Sequence, residues 1–339
     1  MKAMRLEEDW GLENIRLVDL PDPEPGPDEI LIRMEAVAIN PRDTILMRGG
    51  YGRKGGNPPI IPLCDGAGTV VALGSHAKGF AIGDRVCPNF SRTWQEGQIG
   101  SRSMDGAHGG PLDGTMCELM AVPTNAAVKA PPHMTPEEAA TLPCAAVTAW
   151  NAVVEQGHVK AGDIVLIQGT GGVSLFALQF AKMQGAEVVL ISSSDEKLAR
   201  ARPLGADHVI NYSTNPDWHK AARDLTGGRG LDHIVDIGGG GTLEKSIAAI
   251  RASGTISLIG VLGGAVPSVP LGRVVTQNVC LQGVTCGSLR MFEDMAAAMT
   301  LHKTRPVLDD TRFDFEDLPG ALERLLQGGH YGKVVCRFG

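Results

Sequence analysis

The chain has 339 residues, 43% hydrophobic and 20% charged, enough for about two domains with a sizeable core. Its net charge of -7, without any lysine–arginine cluster, argues against a nucleic-acid or anionic-membrane partner. No apolar run is long enough to span a bilayer, the start Met1-Lys2-Ala3-Met4-Arg5-Leu6 lacks a signal-peptide core, and seven scattered cysteines point to reduced thiols in a cytoplasm.

Residues 1 to about 125 read as β-rich. Ile15–Val18 and Glu29–Met34 alternate partly with period two, on either side of the stiff link Pro21-Asp22-Pro23-Glu24-Pro25-Gly26-Pro27. Thr69–Gly74, Asp84–Pro88 and Cys117–Pro123 are further short strands. Between them, Asn89–Gly114 has no periodicity and much glycine, a loop long enough to suggest a functional role. Thr135-Pro136-Glu137-Glu138 has the makings of a capping box, and Ala145–Glu155 reads as a second helix.

The stretch 162–197 is the most informative. Ile164–Gln168 is a short buried strand, Gly169-Thr170-Gly171-Gly172-Val173-Ser174 a glycine turn, Val173–Gln184 a helix ended by Gly185, and Glu187–Ile191 a second strand. Gly169 permits a sharp turn off the strand. Gly171 lets a pyrophosphate approach the backbone, where the free N–H groups and helix dipole at Gly172, Val173 and Ser174 favour its charge. Ser174 stands where the fingerprint has its third glycine. A glycine turn alone is weak evidence, but set between a strand and a helix with a second strand following it points to dinucleotide binding.

The α/β rhythm continues with strands His208–Tyr212, Asp232–Asp236, Thr255–Gly260 and Val279–Val284, and helices Asp195–Ala201, Trp218–Leu225 and Leu243–Ile250. With the first two strands these imply an open, doubly wound parallel sheet in an α/β protein. The tail, a helix Leu318–Gln327 and a strand Lys333–Phe338, is expected to complete the N-terminal region.

This order, together with Gly162–Val173, Gly205-Ala206-Asp207-His208-Val209-Ile210-Asn211-Tyr212 and Tyr331-Gly332-Lys333-Val334-Val335, resembles the medium-chain dehydrogenase/reductase superfamily over essentially the whole chain. Asn40-Pro41-Arg42-Asp43, Cys64-Asp65-Gly66-Ala67-Gly68 and Leu142–Trp150 are similar to its other landmarks. The resemblance implies a GroES-like β-rich catalytic domain from 1–144 with 287–339, a Rossmann domain from 145–286, and hydride transfer between a nicotinamide cofactor and a carbonyl, an alcohol or a conjugated double bond.

Zinc-dependent members carry Cys, His-Glu and Cys where this chain has Asn40, Cys64-Asp65 and Cys144, and Asn89–Thr115 lacks the cysteines of a structural zinc lobe. The sequence therefore resembles the zinc-independent, quinone-oxidoreductase-like branch, and no metal is expected. Cys64 and Cys144 read as small buried hydrophobes near the cofactor, or as a residual metal site with Asp65 or Asp43. Asn40 is a candidate for bonding the nicotinamide ribose or substrate oxygen, or simply for capping the turn before Pro41; Arg42 is a second donor for a developing oxyanion. The resemblance places Thr148 near the nicotinamide and Lys333 among the cofactor contacts. Trp94 and His108 are candidates for the pocket wall, although a lone loop histidine is more often solvated. Gly238 begins a glycine turn at a strand end, and Val261-Leu262 and Gly287-Ser288 follow later ones, where open sheets place ligands.

The second strand ends in Ser192-Ser193-Ser194, not in the acid that commonly binds a ribose 2′-hydroxyl. Serines donate to a 2′-phosphate, Lys197 adds a positive charge, and Tyr212 matches a position the family uses beside that phosphate; an ordinary capping box, Ser193 with Glu196, is the competing account. NADP(H) is thus favoured over NAD(H). The expected activity is NADPH-dependent reduction of a quinone or α,β-unsaturated carbonyl. An alcohol dehydrogenase or ketone reductase is the alternative, and a non-catalytic nucleotide-binding redox sensor a third. A homodimer through the apolar edge strand Val279–Val284 is expected.

Overall fold

The computed structural model describes residues 1–51, 55–266 and 268–339. They form two compact units, Met1–Val147 with Gly287–Gly339, and Thr148–Cys286.

The second unit is built on a six-stranded parallel sheet. In chain order its strands are Ile164–Gln168, Glu187–Ser192, His208–Asn211, Leu231–Asp236, Ile250–Leu258 and Cys280–Gly283. Across the sheet they run third, second, first, fourth, fifth, sixth. The order reverses between the first and fourth strands, the switch point where doubly wound sheets bind ligands. Val165, Leu166, Ile167 and Val188–Ile191 are buried, as strands covered on both faces require. The helix Gly172–Met183 covers one side, with Phe180 edge-on to Trp150 at 5.3 Å between ring centres.

In the first unit a seven-stranded sheet is centred on Glu29–Ala38, which pairs with Asp65–Leu73, Leu119–Pro123 and Lys333–Arg337. Glu29–Ala38 alternates in burial and then becomes wholly buried over its last three residues. Two antiparallel pairings matter most there, Ala38 with Asp65 and Ala38 with Val335. Carried two residues onward, the second sets Lys333 opposite Asn40. The C-terminal strand thus enters the N-terminal sheet.

Several elements differ from the sequence reading. Ala145–Glu155 is not one regular helix: wide π turns at Leu142–Ala146 and Asn151–Glu155 flank the α turn Val147–Trp150. The strand expected from Thr69 begins at Asp65. Lys2–Leu6 and Leu308–Asp314 are strands and Leu289–His302 a long helix where none was expected. Thr135 and Glu138 do form a capping box.

Candidate functional site

Where Glu29–Ala38 ends, the chain turns into the short helix Pro41–Leu46, with Asn40 at its N-cap. The Asn40 N–H donates to Asp43 Oδ2 at 2.8 Å, and the Asp43 N–H donates back to the Asn40 carbonyl at 3.0 Å. Asn40 and Asp43 thus form a reciprocal capping box, and the Asn40 amide makes further bonds besides. That amide is oriented without ambiguity. Lys333 Nζ donates to Asn40 Oδ1 at 2.7 Å, and Asn40 Nδ2 donates to Asp65 Oδ2 at 2.8 Å. Its second N–H faces the Cys64 sulfur at 3.8 Å, a weak acceptor.

Lys333 is 3% exposed, and its three ammonium protons go to Asn40 Oδ1, Asp65 Oδ2 at 2.9 Å and the Ile39 carbonyl at 2.9 Å. Sequence reasoning made Lys333 a cofactor contact; its side chain is placed in this buried cluster. Asp65 also accepts the Cys144 N–H at 2.7 Å. Before it, Leu63 lies in the left-handed region at φ 70°, with its carbonyl held by the Thr115 N–H at 3.0 Å. Such a conformation in a residue other than glycine stores strain.

Arg42 does not point its fork at an open position. Its guanidinium donates to the His108 and Gly110 carbonyls, each at 3.1 Å, and lies 4.9 Å from the centre of the Phe90 ring. Burial opposes its charge, but Cys64 and Asp43 nearby hold its pKa above the ordinary value. Burial raises the Asp43 carboxyl to about 6 despite Arg42, and pushes the Cys64 thiol well up, reinforced by a hydrogen bond with Cys144. His108 is buried, not solvated as a lone loop histidine usually is. It bonds the Asp113 carbonyl at 3.0 Å and faces Arg92 at 3.4 Å; burial, with Arg92 next, drives its pKa to about 4. Trp94 is buried too, its indole N–H donating to the Gly97 carbonyl.

A zinc ion would find three candidate donors in this cluster. Cys64 Sγ, an Asp65 oxygen and Cys144 Sγ lie within 4.8 Å of one another, which suits three ligands. The chemistry fits less well. Both Asp65 oxygens are already committed, one of them to an ammonium group that would repel a dication at the same atom. The Cys64 thiol would also have to lose its proton against burial. As arranged, these residues make a closed polar cluster and do not fit a catalytic zinc.

In the second unit, Gly169 adopts φ 78° and turns the chain off the first strand. Gly171 is the N-cap of the helix Gly172–Met183 and supplies no side-chain cap, and the first N–H groups of a helix have no partner within it. The Ser174 hydroxyl donates to the Gln168 carbonyl at 2.6 Å, so serine at the third fingerprint position fastens the helix to the strand. The Gly238–Gly241 turn and Val261-Leu262 lie at the same carboxyl edge of the sheet, bound to each other through the Gly263 N–H to the Gly238 carbonyl at 2.8 Å. Thr148 is buried at the start of this unit. Gly287 and Ser288 belong to the first unit, where the Ser288 hydroxyl caps Leu289–His302 by accepting the Met291 N–H at 3.2 Å.

At the end of the second strand Ser192 is buried and Ser193 exposed. The helix cap is Ser194, which accepts the Lys197 N–H at 3.3 Å; the competing account, a capping box of Ser193 with Glu196, is not formed there. Asp195 accepts from Asn211 Nδ2 at 2.9 Å, and Tyr212 is 41% exposed.

Residues 26–132 match the alcohol dehydrogenase GroES-like domain and residues 172–303 the zinc-binding dehydrogenase family. A zinc-type alcohol dehydrogenase-like protein of Schizosaccharomyces pombe is 40% identical over 323 residues, 92% of this chain and 91% of its own. The chain belongs to the medium-chain dehydrogenase/reductase superfamily. A crystal structure of a putative alcohol dehydrogenase from Sinorhizobium meliloti 1021 superposes with a TM-score of 0.92 at 40% identity, covering 100% of this chain and 99% of that one. Acryloyl-coenzyme A reductase of Sulfurisphaera tokodaii is 27% identical over 333 residues, 96% of this chain and 97% of its own. Membership makes this chain an oxidoreductase of the nicotinamide-dependent, alcohol dehydrogenase-like type.

Proposed function

We propose that this chain uses NADPH to reduce a quinone or an α,β-unsaturated carbonyl without a catalytic metal. The observation that carries the reading is the closed cluster Asn40–Asp65–Lys333, in which an ammonium group occupies the carboxylate that a zinc would need. When bound, the nicotinamide cofactor supplies the hydride. The chain contributes binding and charge placement. The N–H groups beside Gly171 take the pyrophosphate, and Ser193 and Lys197 take a 2′-phosphate. With no strong Lewis acid to polarise a simple ketone, the chain suits acceptors that are already activated. The Asn40 N–H that faces only sulfur is available to an oxygen gaining negative charge, and Lys333 holds that amide in place. Acryloyl-coenzyme A reductase, by its name, reduces a conjugated double bond, which is consistent with this substrate class.

A second reading, alcohol dehydrogenase or ketone reductase, draws on the approach of Cys64, Asp65 and Cys144 within 4.8 Å. Metal analysis combined with a panel of quinones, enones, ketones and alcohols, run with both cofactors, separates the two. Stoichiometric zinc, with activity lost to a chelator and restored by zinc, replaces the first reading by the second. We place the chain in the cytoplasm as a homodimer. None of the seven cysteines forms a disulfide, and among the described residues no helix is long and apolar enough to cross a membrane. The pairing surface is the edge strand Cys280–Gly283 within Val279–Val284.

A further inference from the structure

We infer that Asp236 and Gln168 are positioning residues that lock the Gly169–Gly172 turn and the Gly238–Gly241 turn into a single dinucleotide-binding rim. The inference rests on the dinucleotide reading above and extends it to residues that do not themselves face the ligand.

Gln168 ends the first strand and Asp236 ends the fourth, and these strands are neighbours across the switch point. Both side chains are buried, at 3% and 0% exposure. Asp236 meets only donors. Its Oδ1 accepts the Gly238 N–H at 3.1 Å, the Gly239 N–H at 2.9 Å and the Thr242 hydroxyl at 2.7 Å. Its Oδ2 accepts from Gln168 Nε2 at 3.0 Å and from the Ser246 hydroxyl at 2.6 Å. The two oxygens divide the work: one shapes the glycine turn, the other ties that turn to the first strand. Gln168 completes the link by donating to Ser246 Oγ at 2.9 Å, while its backbone carbonyl receives the Ser174 hydroxyl at the head of the glycine-turn helix.

The Gly238 turn needs such an anchor. Gly239 adopts φ 65°, and a Cβ there would meet the Gly260 carbonyl at 2.9 Å and Val261 Cα at 3.0 Å. A chain this free of side chains has no packing of its own to hold a shape. A carboxylate accepting several backbone and hydroxyl donors in a dry site is a stiff fixture, and stiff support keeps a binding constellation in register. The Asp236 network thus supplies the rigidity that the glycines lack.

The test uses the full-length protein and the variants Gln168→Met, Thr242→Val, their combination, and Thr242→Ser, which keeps the hydroxyl. NADPH dissociation constants are measured by fluorescence titration, alongside thermal midpoints and kcat at saturating cofactor with a quinone acceptor. We expect Gln168→Met and Thr242→Val each to weaken NADPH binding about tenfold, the scale of a lost hydrogen bond to a charged group. The double variant should lose less than the product of the two because both act through Asp236. Thr242→Ser should bind as wild type, and kcat at saturation should change little. Unchanged NADPH affinity in folded single variants, or fully multiplicative losses, overturns this inference alone. Wild-type protein that binds neither NADPH nor NADH overturns the functional reading and this inference with it.

Discussion

Lys333 Nζ lies 2.9 Å from Asp65 Oδ2, joining residues 268 positions apart in an ion pair with 3% and 0% of the two side chains exposed. The pair is satisfied because every Lys333 proton has an acceptor and Asp65 has two further donors. Removing one partner leaves the other charge buried and uncompensated, which typically costs about 3–5 kcal/mol. Lys333→Met should therefore lower the thermal midpoint markedly, and adding Asp65→Asn should recover part of the loss. Calorimetry on the two variants checks this; a single variant as stable as wild type would show that the pair is not closed.

Asn40 is held by that pair with one N–H facing only sulfur. Asn40→Ala should lower kcat for quinone or enone reduction by about 100-fold, the usual effect of losing one oxyanion donor, while NADPH affinity stays unchanged. Steady-state kinetics and nucleotide titration on one preparation decide it. Equal kcat would remove Asn40 from the chemistry.

The core of the second unit was legible because strands covered on both faces need continuous apolar runs, as in Val188–Ile191, and few alternatives fit so short a run. The helix Leu289–His302 was missed although its signals were present. Ser288 is a good cap, and Phe292, Met295, Ala296 and Met299 follow a helical repeat buried on one face. Asn40 and Arg42 could be singled out from local motifs, but their partners could not. The Asn40–Lys333 contact follows from strand register between distant segments, and the Arg42 fork is spent on carbonyls of a loop without periodicity. Asp236 and Gln168 were missed for a similar reason: each looks like an ordinary strand-end residue until the sheet order makes them neighbours.

His233 gives a pH dependence that can be signed. Burial lowers its pKa from 6.5 to about 4, and Asp163 only partly opposes that shift. The unfolded chain therefore takes up the proton first as pH falls. Stability from this group is complete above pH 6.5 and lost progressively down to about 4, amounting to about 3 kcal/mol in order of magnitude. His108 behaves alike in the first unit, but Asp43 runs the other way, because its carboxyl is raised to about 6 and its protonation favours the folded state as pH falls. His233→Gln is thus the cleaner probe. Thermal midpoints between pH 7 and 4.5 should fall less steeply in the variant; parallel curves would show that His233 does not titrate in this way.

Among the described residues the sixth strand, Cys280–Gly283, leaves one edge of the parallel sheet unpaired. Val261, Leu262, Leu271 and Val275, from the segments before it, are each more than half exposed. An unpaired edge beside exposed apolar side chains is normally covered. Light scattering should give twice the chain mass at micromolar concentration. The Val284 N–H bonds the Leu258 carbonyl, so by alternation the Gly283 N–H faces the free edge; Gly283→Pro, which removes that outward donor, should shift the protein towards monomer. A monomeric wild type would refute the pairing.

Lys197 is the residue on which the choice between the two nicotinamide cofactors should turn. It lies in the first turn of the helix capped by Ser194, following the exposed Ser193. Because Ser194 spends its hydroxyl on the cap, Ser193 is the serine proposed to meet a 2′-phosphate, with Lys197 one helical turn away and Tyr212 after the neighbouring strand. Asp195 would repel that phosphate, but its Oδ1 accepts a hydrogen bond from Asn211. Wild type should therefore turn over NADPH with a higher kcat/KM than NADH. Lys197→Ala should lower kcat/KM for NADPH about tenfold, as expected for one charge-assisted hydrogen bond, and leave NADH nearly unchanged, because NADH carries no group at that position. A uniform loss with both cofactors would mean that Lys197 supports the helix and not the phosphate. Better turnover of NADH by wild type would assign the serine turn to a plain ribose.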